Sequence, residues 1–575
     1  MHWLSFILLI NTITMKKTYA LLIATLMLSN IILAQERSEE QLKSIAANHF
    51  SRLKSQERRA LSNDKLEKVF SCDEYVVYNS SGQGSVIVSK NTKNRPVLGY
   101  SKAIFDTCHI PCGFQWWLNE ASRSLAAQRV NESFSVGHRA YSPVSSFIMT
   151  KWGQDQPYNN LTPESEGKHM PTGCMATAMS QIMKYFNYPA KGRGTGYYKN
   201  AKGRDAFAII NTEYEWESMK NTYSASETST MSDAEKRPVA ALMRDAGLAS
   251  QMDYSTDGSG AYEFYAAKGL VYNFQYDSLS LRNYYRAFYP DEEWMSLVYN
   301  ELSNKRPILY CGQDATSGGH AFILDGIDEE GLVSVNWGWD GSGDGFYDIS
   351  VLSPQVFGMS ANSFSLNQRM IIGFKPQLEP DADEKYESVW GSDQIYDLSV
   401  PANNRLNVAG FSAFNYNYLA FSGKLGIFFE NILSPDDNYE IIIFNTEDDE
   451  NKGEPIESHY GFNADNMSKM LKSPYDISSL KPGSYRVFVG SKAIQETNAK
   501  PLKCPGGAIE YTLTKEANGK LSLSESHLVT SVKPLSSKMS IKNEGIWYDL
   551  NGSANVGIPT KKGVYIVNGK KVIVK

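Results

Sequence analysis

The spacing of apolar residues divides this chain into regions of different character. Residues 36–61 place Leu42, Ile45, Ala46, His49 and Leu53 on one face of a charged helix. Residues 74–104 switch to strand-like runs: Tyr75–Tyr78, a Ser-Ser-Gly-Gln-Gly turn, then Ser85–Val88. Phe114 to Ala127 returns to helix. Met175, Ala178, Met179, Ile182, Met183 and Phe186 then trace one stripe of a helix that Pro189 and Gly192 stop. Ala321–Gly326 and Leu332–Asn336 read as strands. A connector rich in Pro and acidic residues, 377–387, precedes a strand-rich stretch at 388–530. There Tyr439–Phe444 and Gly483–Val489 are bounded by Gly, Pro, Asn and Asp turns, which predicts one antiparallel β-sandwich. A last small β unit, 531–575, closes on a hairpin turning at Asn568-Gly569.

The N-terminus has a different use. Met15-Lys16-Lys17 leads into the apolar run Ala20–Leu33, then Ala34-Gln35 and charge, so residues 1–34 read as a secretory signal peptide with its true start at Met15. The apolar run is short for a membrane span. The expected location is extracellular, secreted or held at an outer-membrane surface. At 575 residues, three or four domains are expected. Apolar residues at 42% and charged residues at 21% are ordinary for globular domains, and a net charge of −6 gives no reason to expect a nucleic-acid partner. Six cysteines are few for a disulfide scaffold in an exported chain. Cys108-His109-Ile110-Pro111-Cys112 reads as a local disulfide or two free thiols rather than a metal site, because no second ligand pair matches it. No metal and no cofactor are expected.

Cys174 opens the helix of the Met175–Phe186 stripe. Unpaired N–H groups and the helix dipole favour an anion there, so a depressed thiol pKa and a nucleophilic thiolate are expected. His320 follows Ser317-Gly318-Gly319 at the mouth of a strand, where it is accessible to a thiol on a neighbouring element. Asn336 ends the next strand and is suited to hold an imidazole tautomer, with Trp337 beside it to screen that bond. The Gln154 side chain and the Cys174 backbone N–H are suited to an oxyanion hole. Each has a plainer explanation: a core thiol, a turn Asn, core Trp residues, a surface-loop Gln.

Taken together, these stretches resemble the streptopain family of papain-like cysteine proteases. The matching segments are Trp152–Asn159, Thr172–Ala178 with Gln181–Tyr185 and Tyr188-Pro189, Gly247–Tyr254, Gly318–Phe322 and Val335–Trp339. His320 lies 146 positions after Cys174 (174 to 320), within the span of about 130–150 residues that papain-like enzymes show. The resemblance implies an α+β fold with a papain-like peptidase domain at 140–376. It implies Cys174 as nucleophile, His320 as base, Gln154 in the oxyanion hole and Trp337 shielding the site, with Asn336 beside it. The loop at Ser259, Gly260 and Ala261, with Gly319, is implied to contact substrate. Asp340 departs from the pattern, which commonly has glycine there. The unit at 35–139 resembles the family's inhibitory propeptide, which implies a zymogen cut near Arg139-Ala140. Tyr548–Gly552 and Gly563–Gly569 resemble the C-terminal sorting domain of type IX secretion in Bacteroidetes.

The expectation is therefore a secreted cysteine endopeptidase, monomeric when mature, whose partners are peptide substrates, its own propeptide and the type IX machinery. Two alternatives stand beside it. One is a surface adhesin in which the peptidase unit is secondary. The other is a transglutaminase-like acyl transferase built on the same dyad.

Overall fold

The computed structural model describes residues 36–57, 66–130, 140–199, 203–314, 318–352, 368–377, 390–392, 396–402, 404–409, 413–416, 421–447, 474–524 and 527–529. It also describes the C-terminal strands 546–548, 554–556, 563–567 and 570–574. The predicted signal peptide, Arg139 at the predicted cut and linker residues 378–387 lie outside the described residues.

Helix α1, Glu39–Glu57, begins where Ser38 and Gln41 cap each other: the Gln41 N–H donates to Ser38 Oγ at 3.2 Å and the Ser38 N–H to Gln41 Oε1 at 2.8 Å. Of its predicted face Leu42, Ala46 and His49 are buried and Ile45 and Leu53 half-buried, and Phe50 beside them is buried as well. Strands β1 (Leu66–Ser71), β2 (Tyr75–Ser80), β3 (Gly84–Ser89) and β4 (Val97–Ser101) form an antiparallel meander beneath it. Helix α2, Cys112–Val130, follows Pro111, whose fixed φ suits a helix start. Helix α3, Cys174–Phe186, is the predicted stripe, ended by Asn187 in the left-handed region. Two more helices, α4 (Asp233–Ala249) and α5 (Glu263–Tyr272), pack around α3. Strands β5 (Arg282–Tyr285), β6 (Ile308–Asp314), β7 (Gly318–Ile327), β8 (Val333–Asn336), β9 (Gly345–Tyr347) and β10 (Arg369–Ile372) complete the sheet.

The N-terminal strands have no sheet of their own. One ten-stranded sheet runs β1-β2-β3-β4-β9-β8-β7-β6-β10-β5, joined where Gly99, Tyr100 and Ser101 pair with Tyr347, Phe346 and Gly345. Alternation marks each strand, but the partner of an edge is a long-range choice that local period does not encode. The seam is also polar. Arg95 and Asp348 form an ion pair at 3.1 Å with side chains 7% and 2% exposed, and Arg95 also donates to the Glu330 carbonyl. Arg52 pairs with Glu330. Trp117 donates its indole N–H to the Asp348 carbonyl at 3.2 Å.

The 388–530 region holds two sheets around a shared core. Leu398 and Leu406 of a three-stranded sheet pack with Ile427, Val487 and Leu513 of a larger one. The larger sheet contains one parallel pair, Gly391 with Lys503, among antiparallel ones. This region seats on the protease: the Gly506 N–H donates to the Ala287 carbonyl at 2.8 Å, and the Tyr416 ring meets Tyr285 and Phe288 at 4.6 and 4.9 Å. Gly391 permits that approach, since a Cβ there would lie 2.6 Å from the Phe288 ring. Residues 531–575 form a separate unit, a four-stranded antiparallel sheet in which Gly563–Val567 pairs with Lys570–Val574; the predicted Asn568-Gly569 turn lies outside the described residues. Among the described residues no helix is long and apolar enough to cross a membrane.

Candidate active site

Cys174 stands at the first position of α3, with Gly173 as the preceding residue at φ 84°. A side chain at Gly173 would come within 2.8 Å of both Met252 and the Ser259 carbonyl, so glycine lets the helix start press against the 252–260 loop. The apolar face of α3 is the reason the start is rigid: Met175, Ala178, Met179, Ile182 and Met183 are all buried. That face brings Cys174 against β7, where the Ala321 backbone N–H donates to Cys174 Sγ at 3.3 Å. Ala321 follows His320 directly, so the sheet sets the imidazole-bearing residue beside the sulfur. His320 is 8% exposed and opposes Gly312 in the β6–β7 register.

The expected depression of the thiol pKa does not hold in this form of the chain. Burial pushes the Cys174 thiol above its ordinary value, outweighing the backbone N–H groups of Ala321, Met175 and Cys174 itself that pull it down. The helix-terminus effect is therefore present but loses to desolvation. By surface exposure Cys174 is only half-buried, and the first turn of α2 packs over the Trp337 and His320 side of the site. A Cβ on Gly113 would lie 3.0 Å from the Trp337 ring and 3.9 Å from His320 Cβ, and Phe114 stacks on Trp337 at 5.6 Å and 23°. Burial raises the Cys112 thiol to about 11, and the Cys174 sulfur adds to the rise. Cys108, four residues earlier, is an exposed free thiol, and Cys112 is free as well.

Trp337 is 1% exposed and fixed by its indole N–H to the Gly343 carbonyl at 3.0 Å and its backbone N–H to Asp344 Oδ1 at 2.9 Å. Its ring meets Phe322 at 4.7 Å. Asn336 is occupied elsewhere. Its amide N–H groups reach the Thr150 carbonyl at 2.9 Å and Gln181 Oε1 at 3.2 Å, while Oδ1 accepts from Gln181 Nε2 at 3.2 Å and the Gly338 N–H at 3.0 Å. An amide has two N–H donors and two lone pairs, so this set fills it. Gln154 is 8% exposed on the loop before α3, its carbonyl accepting from the Thr172 N–H at 3.0 Å. The predicted cleft residues line the same wall: Asp253 and Gly260 exchange backbone hydrogen bonds at 2.8 and 3.1 Å, which folds Ser259 inward and leaves Gly260 exposed, with Ala261 half-buried. Gly319 is exposed beside His320. Among the described residues no cluster of His, Cys, Asp or Glu is arranged to hold a metal.

Two participants were not anticipated from the chain alone. Gln181 holds both Asn336 and the Trp152 N–H, the latter at 3.2 Å, and thereby ties α3 to the Gln154 loop and β8. A polar residue inside the apolar half of the α3 stripe was its signal. The Gly113-Phe114 turn covers His320 and Trp337, and its signal was a glycine and an aromatic in the first turn of a predicted helix.

Comparison with known proteins gives the family. The peptidase C10 family matches residues 152–347, and the Spi protease inhibitor family matches 15–125. Streptopain of Streptococcus pyogenes is 32% identical over 353 residues, covering 55% of this chain and 86% of that protein. The thiol protease/hemagglutinin PrtT of Porphyromonas gingivalis is 26% identical over 439 residues, covering 69% of this chain and 49% of that protein. A solved fragment of Prevotella intermedia prointerpain A is 33% identical with a TM-score of 0.49, covering 55% of this chain and 99% of that one. The chain belongs to the peptidase C10 family, the streptopain-type cysteine endopeptidases made as zymogens.

Proposed function

We propose that Cys174 and His320 are the catalytic dyad of this peptidase and that the first turn of α2 holds it latent. The carrying observation is the Ala321 N–H on Cys174 Sγ at 3.3 Å, which registers the helix start against the strand bearing His320. In the processed enzyme His320 takes the thiol proton, and the sulfur attacks the substrate carbonyl. The Gln154 side chain and the Cys174 N–H stabilise the oxyanion. The tetrahedral intermediate collapses as the imidazolium gives its proton to the leaving amine, which leaves a thioester. Water, deprotonated by His320, then releases the acid and restores the thiol. Trp337 keeps water from the imidazole, while Asn336, whose amide is filled by Thr150, Gln181 and Gly338, braces the strand end beside it rather than holding the imidazole. Ser259, Gly260, Ala261 and Gly319 line the path of the substrate chain. Removal of the signal peptide, cleavage near Arg139-Ala140 and sorting through residues 531–575 place the mature protease outside the cell.

The test is casein hydrolysis by the processed protein, with and without a thiol-directed epoxide, alongside Cys174→Ala. Both treatments are expected to abolish cleavage, and a chelator is expected to leave it unchanged. Cleavage surviving Cys174→Ala would falsify the assignment. Amine incorporation into casein without cleavage would favour the acyl transferase instead.

A further inference from the structure

The segment that carries Gln154 is held from two sides. On the inner side the Thr172 N–H donates to the Gln154 carbonyl at 3.0 Å and Thr177 Oγ1 to the Gly153 carbonyl at 3.3 Å. On the outer side stands Asp340. Its backbone N–H donates to the Trp152 carbonyl at 3.3 Å, and its Oδ1 accepts from the Tyr158 hydroxyl at 3.1 Å. Its carboxylate lies over Gly153 so closely that a Cβ on Gly153 would overlap it. Tyr158 is 1% exposed, wedged against Trp152 at 6.2 Å and Tyr223 at 5.6 Å, so its hydroxyl is a fixed donor rather than a wandering one. Asp340 itself is exposed at its outer edge and adopts φ 52°, in the left-handed region that asparagine and aspartate tolerate and glycine prefers. It belongs to the loop that begins with Trp337.

We propose that Asp340 is a positioning residue that clasps the Gln154 arm to the Trp337 loop and so fixes the oxyanion-hole donor; this rests on the assignment of Gln154 above. A donor must be in place before charge develops, because orienting it during the reaction costs rate. Through Trp152, Gly153 and Tyr158, Asp340 touches the chain on both sides of Gln154 but not Gln154's own amide. The carboxylate brings a cost, since it sets a negative charge near developing negative charge. The acceptor oxygen is therefore the useful part.

The positive φ makes glycine a clean deletion and asparagine a conservative replacement. In the processed enzyme, Asp340→Gly is expected to lower kcat about tenfold with KM within about twofold, a part of the 10²–10³ lost when an oxyanion donor is itself removed. Asp340→Asn keeps the acceptor and is expected to stay within about twofold of wild-type kcat. Tyr158→Phe should match Asp340→Gly, and the double variant should fall no lower than either single one. Gln154→Ala, run beside them, should show the full loss. If Gln154→Ala is impaired while Asp340→Gly keeps wild-type kcat, the clasp is wrong and the oxyanion assignment stands. An Asp340→Asn enzyme as slow as Asp340→Gly, or a loss confined to KM, also overturns it. A Gln154→Ala enzyme with full kcat would remove the oxyanion assignment, and the clasp with it.

Discussion

Two helices of this protein begin with a cysteine, and their first turns meet at the same cleft. Cys174 opens α3 and Cys112 opens α2. Both thiols are pushed up by burial, and both have backbone N–H groups at a helix start pulling the other way. A helix N-terminus therefore does not by itself make a nucleophile. What separates the two is their surroundings. Cys174 accepts from the strand that bears His320, beside a loop carrying an amide donor. Cys112 belongs to the unit that covers this arrangement, followed by Gly113 and Phe114 against Trp337. In the proposed reading the first is the nucleophile, and the second belongs to the segment that packs over it.

The largest expected effect tests that asymmetry. Cys174→Ala should lower kcat on casein by a factor on the order of 10⁶, as loss of a nucleophile does in other proteases. Cys112→Ala should yield a processed enzyme with unchanged kcat, since the prosegment is gone. The next effect loosens the lid without touching the enzyme. Trp116 is fully buried against Gly312 and Phe322, and replacing a core tryptophan by alanine costs roughly 3–5 kcal/mol. Trp116→Ala should therefore speed self-processing and epoxide labelling of the full-length chain by at least about tenfold; unchanged labelling would mean that α2 does not gate the sulfur.

Arg95→Ala works at the seam, far from the dyad. It removes the cation from the buried Asp348 carboxylate, which keeps its hydrogen bonds from Ser350, and loss of one partner of a buried pair costs roughly 3–5 kcal/mol. A lower melting temperature of the full-length chain is expected by calorimetry, with the processed enzyme, which lacks residue 95, unaffected.

The smallest effect concerns pH. His49 is 4% exposed, its ring 4.5 Å from Tyr100, and burial with the neighbouring Arg52 lowers its pKa to about 4, Glu330 acting against them. An unfolded histidine titrates near 6.5. The folded state thus disfavours the proton, so the stability of this unit is complete above about pH 6.5 and declines as pH falls toward about 4. His49→Phe should remove that decline in the urea midpoint of the Cys174→Ala full-length chain. A midpoint equally acid-sensitive in both chains would reject the His49 contribution.

Local features were legible in the sequence. The apolar stripe of α3 and its start at Cys174 follow from period alone, as do the buried face of α1 and the paired runs of β2 and β3. The proposed dyad stands out in the sequence because each member sits at an element boundary with its own signature. Pairing across distance was not. Nothing in Val97–Ser101 says that it joins Gly345–Tyr347, and nothing in Cys112–Phe114 says that it covers residues two hundred positions away. The thiol shift was misjudged for the same reason: the helix dipole is a local property, whereas burial is set by a distant segment. Asn336 shows the limit from the other side, because its residue type fits an orienting role while Gln181, Thr150 and Gly338 fill its amide.

The most direct measurement is the pH dependence of epoxide alkylation of Cys174 in the full-length and the processed chain. Removing α2 should lower the apparent thiol pKa and raise the rate at neutral pH, because desolvation is relieved while the N–H donors stay. Identical pKa values and rates in the two forms would contradict the account.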